Sequence, residues 1–408
     1  MPSSSKPLRK LGFLTIGLFD GADPRPGHES TLEIIELGER LGFDSAWVRH
    51  RHLQYGISSP VALLAAASQR TRRIALGTAV TPVGWENPLR LAEDLATVDV
   101  LSGGRLNPGI SVGPPAHFDR ISPALYPDTA DAEDFGYERV RRLLAFVRGE
   151  PATDFSGTEG FEVFSDRVQP HSPGLGDRMW YGAGSLRSAR WAGEQGMNLL
   201  VSSVVKAEEP EPEPEPVPVP DESGAGGGSG ASEASGASGS AGVPGATGAA
   251  GVSSTSGAAG ATGTSGATGA GGAPVDFAQI QLSHIRAFRA HHPDGERARV
   301  SQGLVVIPTD SATGGQREKY EAFVRQRTPR TAAPQGPARL LFARDLVGTS
   351  EQIAERLYAD PAFREVDEVA FALPFTFEHE DYVQILTDMA TRLGPALGWT
   401  AGGEGTAS

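Results

Sequence analysis

Ala207-Glu208-Glu209-Pro210-Glu211-Pro212-Glu213-Pro214-Glu215-Pro216-Val217-Pro218-Val219-Pro220 opens a run that ends only at Pro274, midway along a 408-residue chain. Residues 207–274 hold 18 of the 52 Gly and 8 of the 31 Pro. Alternation of Glu or Val with Pro favours a semi-rigid polyproline-II rod of roughly 35 Å, whereas Ser223 to Gly272 is Gly, Ala, Ser and Thr with no period that could face a core. The run reads as a disordered insertion, and its Gly-Ala-Thr-Gly-Ala repeats lack the strict three-residue period of collagen. Without it the glycine content is ordinary for a loop-rich α/β protein.

The fold is decided by the segments flanking this run. Upstream, short apolar stretches alternate with amphipathic ones, the pattern of parallel βα units. Strands are expected at Leu11–Phe19, Ala46–Val48, Ile74–Thr81, Leu106–Val112, Met179–Tyr181 and Met197–Val201. Helices are expected at Glu29–Leu41, Pro60–Gln69, Pro88–Leu101 and Glu133–Arg148, with another after Ser185 ending near Gln195. Downstream come helix Phe277–His291, strand Val300–Ile307, helix Ser350–Tyr358 capped by Ser350, strand Val366–Leu373 and helix His379–Leu393. Six strands before the insertion and two after it do not make two sensible closed domains. One parallel (β/α)8 TIM barrel, built from residues 1–206 and 275–408 and interrupted after strand six by 207–274, accounts for all eight. An open doubly wound sheet is the alternative. A 68-residue loop in place of one of about six costs only about 2 kcal/mol of closure entropy, which a folded barrel tolerates.

Charge and composition narrow the function. The net charge of −14 includes eight acids and no bases from the insertion, leaving −6 for the rest. No basic stripe suggests a nucleic-acid partner. With no cysteine, disulfides, thiolate zinc sites, iron–sulfur clusters and cysteine nucleophiles are excluded. Lys6 to Phe19 resembles a weak signal peptide, but the polar turn Asp20-Gly21-Ala22-Asp23-Pro24 makes it a better buried strand. No stretch approaches the roughly 18 apolar residues of a membrane span, so no membrane partner and a cytoplasmic location are expected.

In such barrels the site forms where the strands end, so four loops carry the functional reading. Arg49-His50-Arg51-His52 clusters cations and imidazoles that could bind an anion or shuttle protons, or simply be solvated. Gly182-Ala183-Gly184-Ser185-Leu186-Arg187-Ser188 joins a strand to a helix, where free N–H groups and two hydroxyls suit a phosphate, unless Ser185 merely caps the helix. It is not a dinucleotide fingerprint, because the third Gly and the later acid are missing. Gly77 to Pro88 runs into a long loop with Trp85, and Trp85, Phe375 and Phe377 are candidates for an apolar pocket wall. Glu378-His379-Glu380 could ligate a metal, but adjacent residues do not easily face one ion, and no metal site is expected.

At these loops the sequence resembles the bacterial luciferase-like monooxygenase family. Gly42 to Val48, Arg73 to Val80, Asn87 to Asp94, Leu101 to Arg105, Gly182 to Ser185 with Ser188 to Trp191, and Val347 to Ser350 carry the likeness, in order along the chain. The resemblance implies a (β/α)8 barrel using reduced flavin mononucleotide (FMN), with a deazaflavin coenzyme as the alternative. It places a non-prolyl cis peptide at Ala79-Val80 against the flavin ring, a cofactor-contacting acid at Glu93, and phosphate contacts at Ser185 and Ser188, with Gly184 and Arg187 beside them. Tyr137 matches a tyrosine that some branches use near the phosphate. The chain departs from the pattern where luciferases have Glu-His-His. Here His50-Arg51-His52 puts Arg51 at the usual imidazole, so His52 and Arg51 are the candidate catalytic residues. The arginine after strand four is Val112. The implied chemistry is oxygenation of a small organic substrate, in a site that orients the reactants and excludes water. Other readings are hydride transfer by a deazaflavin enzyme and flavin binding without catalysis. A separate flavin reductase and a homodimer are the implied partners. An insertion after strand six would emerge on the catalytic face, as a loose cover or as an inert expansion.

Overall fold

The computed structural model describes residues 6–113, 115–207 and 276–402, so the insertion expected over 207–274 lies outside the described residues except for Ala207, which is buried and donates its N–H to Arg339 O at 2.9 Å as part of the fold. Ten short strands form one sheet: β1 (Lys10–Thr15), β2 (Ser45–Val48), β3 (Ala75–Thr78), β4 (Thr81–Pro82), β5 (Leu106–Asn107), β6 (Gly109–Ser111), β7 (Trp180–Ala183), β8 (Asn198–Val201), β9 (Val300–Gln302) and β10 (Glu368–Ala372). Every pairing between them is parallel. Phe13 lies opposite Ala46, Trp47 opposite Gly77, and Leu76 opposite Leu106. Thr81 lies opposite Ile110, Gly109 opposite Trp180, and Leu199 opposite both Tyr181 and Val300. Gln302 then lies opposite Val369, and Phe371 opposite Phe13. The pairings run in one line from β4 through β6, β7, β8, β9, β10, β1, β2 and β3 to β5, a curled parallel sheet.

The helices lie between these strands: α1 (Arg25–Leu41), α2 (Pro60–Arg70), α3 (Pro88–Ser102), α4 (Phe118–Leu125), α5 (Tyr137–Val147), α6 (Leu186–Glu194), α7 (Phe277–His291), α8 (Gly314–Arg327), α9 (Ser350–Ala359) and α10 (His379–Asp388). Their ends reflect local chemistry. The Asn87 side chain accepts from the N–H groups of Leu89 and Arg90, Pro88 needs no partner in the first turn, and Gly103 ends α3 with φ of 73°. The apolar stripe of α1, with Leu32, Ile34 and Ile35, packs inward toward Phe13 and Leu11, which have no exposure. Beneath the sheet, fully buried Asp99 accepts from Leu106 N at 3.1 Å, Ser172 Oγ at 2.5 Å and Arg178 Nη2 at 2.7 Å. That network ties the end of α3 to the residues leading into β7.

Several expected elements are cut short. The first strand stops at Thr15, and Gly17 turns with φ of 61°. The third breaks between β3 and β4 at the Ala79-Val80 peptide. The fourth breaks at Pro108, which has no N–H to give a ladder. The strand expected over 300–307 divides: Val300–Gln302 stays in the sheet, whereas Val306–Pro308 pairs with Leu346–Gly348. The helix expected from Glu133 begins at Tyr137, because Glu133 is engaged by Thr129 and Arg139 instead. Thr349, not Ser350, caps α9, in a reciprocal pair with Gln352. The last helix is α-helical only to Asp388 and continues as a π turn from Met389 to Leu393. α4, α8 and a hairpin of Gly157–Glu159 with Glu162–Phe164 were not expected.

Candidate active site

A cavity of roughly 380 Å³ opens at the C-terminal ends of the strands. Its walls include His50, Arg51 and His52 after β2, Ala79 and Val80 after β3, Tyr137 on α5, and Gly184, Ser185 and Ser188 at the start of α6. Eight of the ten candidate site residues read from the sequence are therefore brought together. Two are not. Glu93 sits on α3 with its carboxylate paired to Arg90 on the preceding turn, away from the cavity lining. Arg187 is exposed at the rim, its guanidinium 5.7 Å from the Tyr137 ring centroid.

The peptide between Ala79 and Val80 is cis. Gly182 on the neighbouring strand lies directly against it: a Cβ there would come within 2.6 Å of Val80 Cγ1. The missing side chain lets the two strand ends approach each other along one wall. At the end of that wall α6 begins with a reciprocal cap. Ser188 N donates to Ser185 Oγ at 3.2 Å, Ser185 N donates to Ser188 Oγ at 3.1 Å, and the two hydroxyls are 3.0 Å apart. The cap is thus part of the cavity wall, since both hydroxyls line the cavity beside the positive end of the helix. Tyr137 stacks on Trp191 at 4.2 Å, and burial raises its phenol above the ordinary range.

The histidines form the other side. His50 is buried, and its Nε2 donates to the carbonyl of Ser58 at 2.7 Å. His52 lies flat on Trp85, with ring centroids 3.9 Å apart, and 4.1 Å from His50. Burial pushes His50 down to about 4, and burial with His50 nearby pushes His52 down to about 3. Burial thus favours the neutral form of both rings. Burial, helped by Asp94, pushes the nearby Glu86 up to about 7.

Sequence reading missed much of the cationic wall. Arg49, Arg327 and Arg330 also line the cavity. Arg327 pairs with buried Asp345 and lies over Phe323 and Phe375 at 4.6 and 5.0 Å, and Arg330 lies over Phe342 at 4.6 Å. Arg49 was visible beside His50, but α8 and the short turn Thr328–Thr331 after it carry too little apolar period to place the other two. Of the expected aromatics, Trp85 and Phe375 reach the cavity, whereas Phe377 stacks on Tyr320 at 5.0 Å. The Glu378-His379-Glu380 run does not converge on an ion. His379 Nδ1 bonds Ser30 Oγ at 2.8 Å, and Glu378 caps α10.

The family model described as luciferase-like monooxygenase matches residues 11–213. The chain is 34% identical over 154 residues to 4-hydroxyprotoasukamycin monooxygenase of Streptomyces nodosus subsp. asukaensis, covering 36% of this chain and 40% of that one. It is 27% identical over 187 residues to an F420-dependent glucose-6-phosphate dehydrogenase of Amycolatopsis mediterranei, covering 43% and 54%. The chain thus spans about half or less of the length of these two relatives. Across 96% of this chain and 99% of the other, the fold matches the oxygenating constituent of 3,6-diketocamphane monooxygenase from Pseudomonas putida, solved with FMN, with a TM-score of 0.56 at 14% identity. Among the described residues no helix is long and apolar enough to cross a membrane. On its sequence match and its curled βα sheet, the chain belongs to the luciferase-like monooxygenase family.

Proposed function

We propose that this chain is a closed (β/α)8 barrel that binds reduced FMN and inserts oxygen into a small organic substrate. The observation that carries the reading is the wall running from the cis Ala79-Val80 peptide past Gly182 to the paired hydroxyls of Ser185 and Ser188. It offers an apolar face, with no side chain at Gly182, for a ring system and, at its end, a polar cradle for a phosphate. The cavity volume is that of a small-molecule site.

When bound, reduced flavin supplies the two electrons that let one oxygen atom enter the substrate while the other leaves as water. The chain positions and shields. Ser185 and Ser188 would hold the phosphate at the positive end of α6, and Arg187 adds charge from the rim. Ala79 and Val80 support the ring. Neutral His52 accepts a hydrogen bond from the substrate, Arg51 holds an anionic portion of it, and Trp85 and Phe375 keep water from the reacting atoms. Since the Gly182-to-Ser188 turn is not a nicotinamide fingerprint, a separate reductase supplies the reduced flavin in this reading.

One observation favours a second reading on the same residues. The Amycolatopsis relative is named for F420, so hydride transfer by a deazaflavin, without oxygen, competes with oxygenation. Loading the purified chain with FMN or F420, identifying what stays bound by absorbance and mass, and measuring oxygen uptake by the reduced form separates the two. Retained FMN with oxygen uptake coupled to product supports the first. Retained F420 with no FMN binding overturns it.

A further inference from the structure

Beyond that reading, and independent of it, we propose that His50, His52 and Glu86 form a binding site for a first-row divalent transition ion such as Zn²⁺ or Co²⁺. One ring nitrogen of each histidine and a carboxylate oxygen of Glu86 lie within 4.8 Å of one another. Among the described residues this is the one group of three metal-ligating side chains. Two imidazoles and a carboxylate are a frequent ligand set for such ions, and they leave at least one position open.

The second observation is the hydrogen bonding. His50 is only 7% exposed, and its Nε2 must carry the proton because the Ser58 carbonyl it contacts at 2.7 Å can only accept. Its Nδ1 is therefore a bare lone pair, and it is buried without a hydrogen-bond partner. His52 Nε2 is likewise buried without one. A carbonyl that orients the far nitrogen of a ligating imidazole is the usual support of a metal site. Unsatisfied buried nitrogens are costly, and an ion between them satisfies both.

Charge and reach agree. The stacked Trp85 fixes the plane of His52. Tetrahedral bonds of roughly 2.0–2.1 Å place ligand atoms roughly 3.3 Å apart, so closure requires movements of about 1 Å, within reach of the partly exposed Glu86. Arg49 and Arg51 oppose a cation here, whereas Glu86 and Asp94 favour one. His50 and His52 line the cavity, so the open position of the ion would take water or a substrate oxygen. When the ion is bound, His52 would serve it instead of the substrate.

The test uses the full chain, free of affinity tag and treated with chelator, titrated with Co²⁺ and followed by visible absorption. The expected result is one equivalent bound, with the intense bands of a tetrahedral N/O site. X-ray absorption of the Zn²⁺-loaded wild type should show two imidazoles, a readout that needs neither variant nor flavin. His50→Ala, His52→Ala and Glu86→Gln should each weaken binding by at least about tenfold, whereas His379→Ala on α10 should not. No uptake by the wild type, fewer than two imidazoles on the ion, tight binding that survives any of the three substitutions, or an equal loss in His379→Ala would overturn the site.

Discussion

Replacing Ser188 by Ala tests the phosphate cradle apart from the rest of the cavity. The backbone N–H of Ser188 still donates to Ser185 Oγ, so half of the α6 cap survives. The lost half is the bond from Ser185 N to the Ser188 hydroxyl, 3.1 Å long, with that hydroxyl's contacts to Ser185 O at 2.9 Å and Ser185 Oγ at 3.0 Å, together worth about 1 kcal/mol of stability. In a protein of this size that lowers Tm by about 1–2 °C, and the chain stays folded. In the proposed site the hydroxyl turns its proton from Ser185 O to the bound phosphate, and a hydrogen bond to a charged group contributes about 1.5–3 kcal/mol. FMN affinity should therefore fall by a factor of about 10–150. Riboflavin has the same ring and no phosphate, so its affinity should stay within about a factor of two of wild type. Quenching of flavin fluorescence measures both constants under one set of conditions. If FMN affinity is unchanged, or riboflavin weakens as much as FMN, Ser188 does not hold the phosphate.

Three other outcomes rest on particular contacts. Gly182→Val puts a branched side chain where a Cβ alone would already lie 2.6 Å from Val80 Cγ1, so FMN binding should be lost while the far-ultraviolet circular dichroism is kept; unchanged FMN affinity would show that this wall is not the ring's. Asp99→Ala strips Arg178, Ser172 Oγ and Leu106 N of their shared acceptor and should cost about 3 kcal/mol of stability by calorimetry, and a loss under about 1 kcal/mol would contradict the network. His284 has no exposure, both ring nitrogens lack partners, and burial pushes it down to about 4, so the unfolded chain gains its proton first as pH falls below 6.5. Its neutral burial is harmless to stability above that pH and costs about 2 kcal/mol at pH 5, so His284→Phe should flatten the acid limb of the Tm profile, and an unaltered limb would refute the assignment.

The parts of the fold that were legible in the sequence are those whose side chains repeat with the geometry of the element. β2 was read to within a residue, and α7, with Leu282, Ile285 and Phe288 inward, was read at both ends. The breaks were not legible in the same way. Pro108 and the Ala79-Val80 peptide lie within apolar runs that read as continuous strands, and only pairing with neighbours shows where the ladder stops. α8 was missed because Tyr320 is its one buried residue, which leaves almost no apolar stripe to detect. In the cavity wall, residues close in sequence come together, as with Gly182 to Ser185 and Ser188. Glu93 was misplaced because a helix can turn an acid to either side, and Arg90 one turn earlier takes it. Glu86 joins His50 and His52 only through the curvature of the sheet, from 34 residues beyond His52, a distance that no local pattern spans.

The central claim is that the wall from Ala79-Val80 to Ser188 is a flavin site. A crystal structure of the full chain with FMN tests it most directly. The account predicts the ring system against the Ala79-Val80 peptide and Gly182, with phosphate oxygens within hydrogen-bonding distance of the Ser185 and Ser188 hydroxyls. FMN bound outside this cavity, or bound with its phosphate among Arg49, Arg327 and Arg330 on the opposite side, would contradict it.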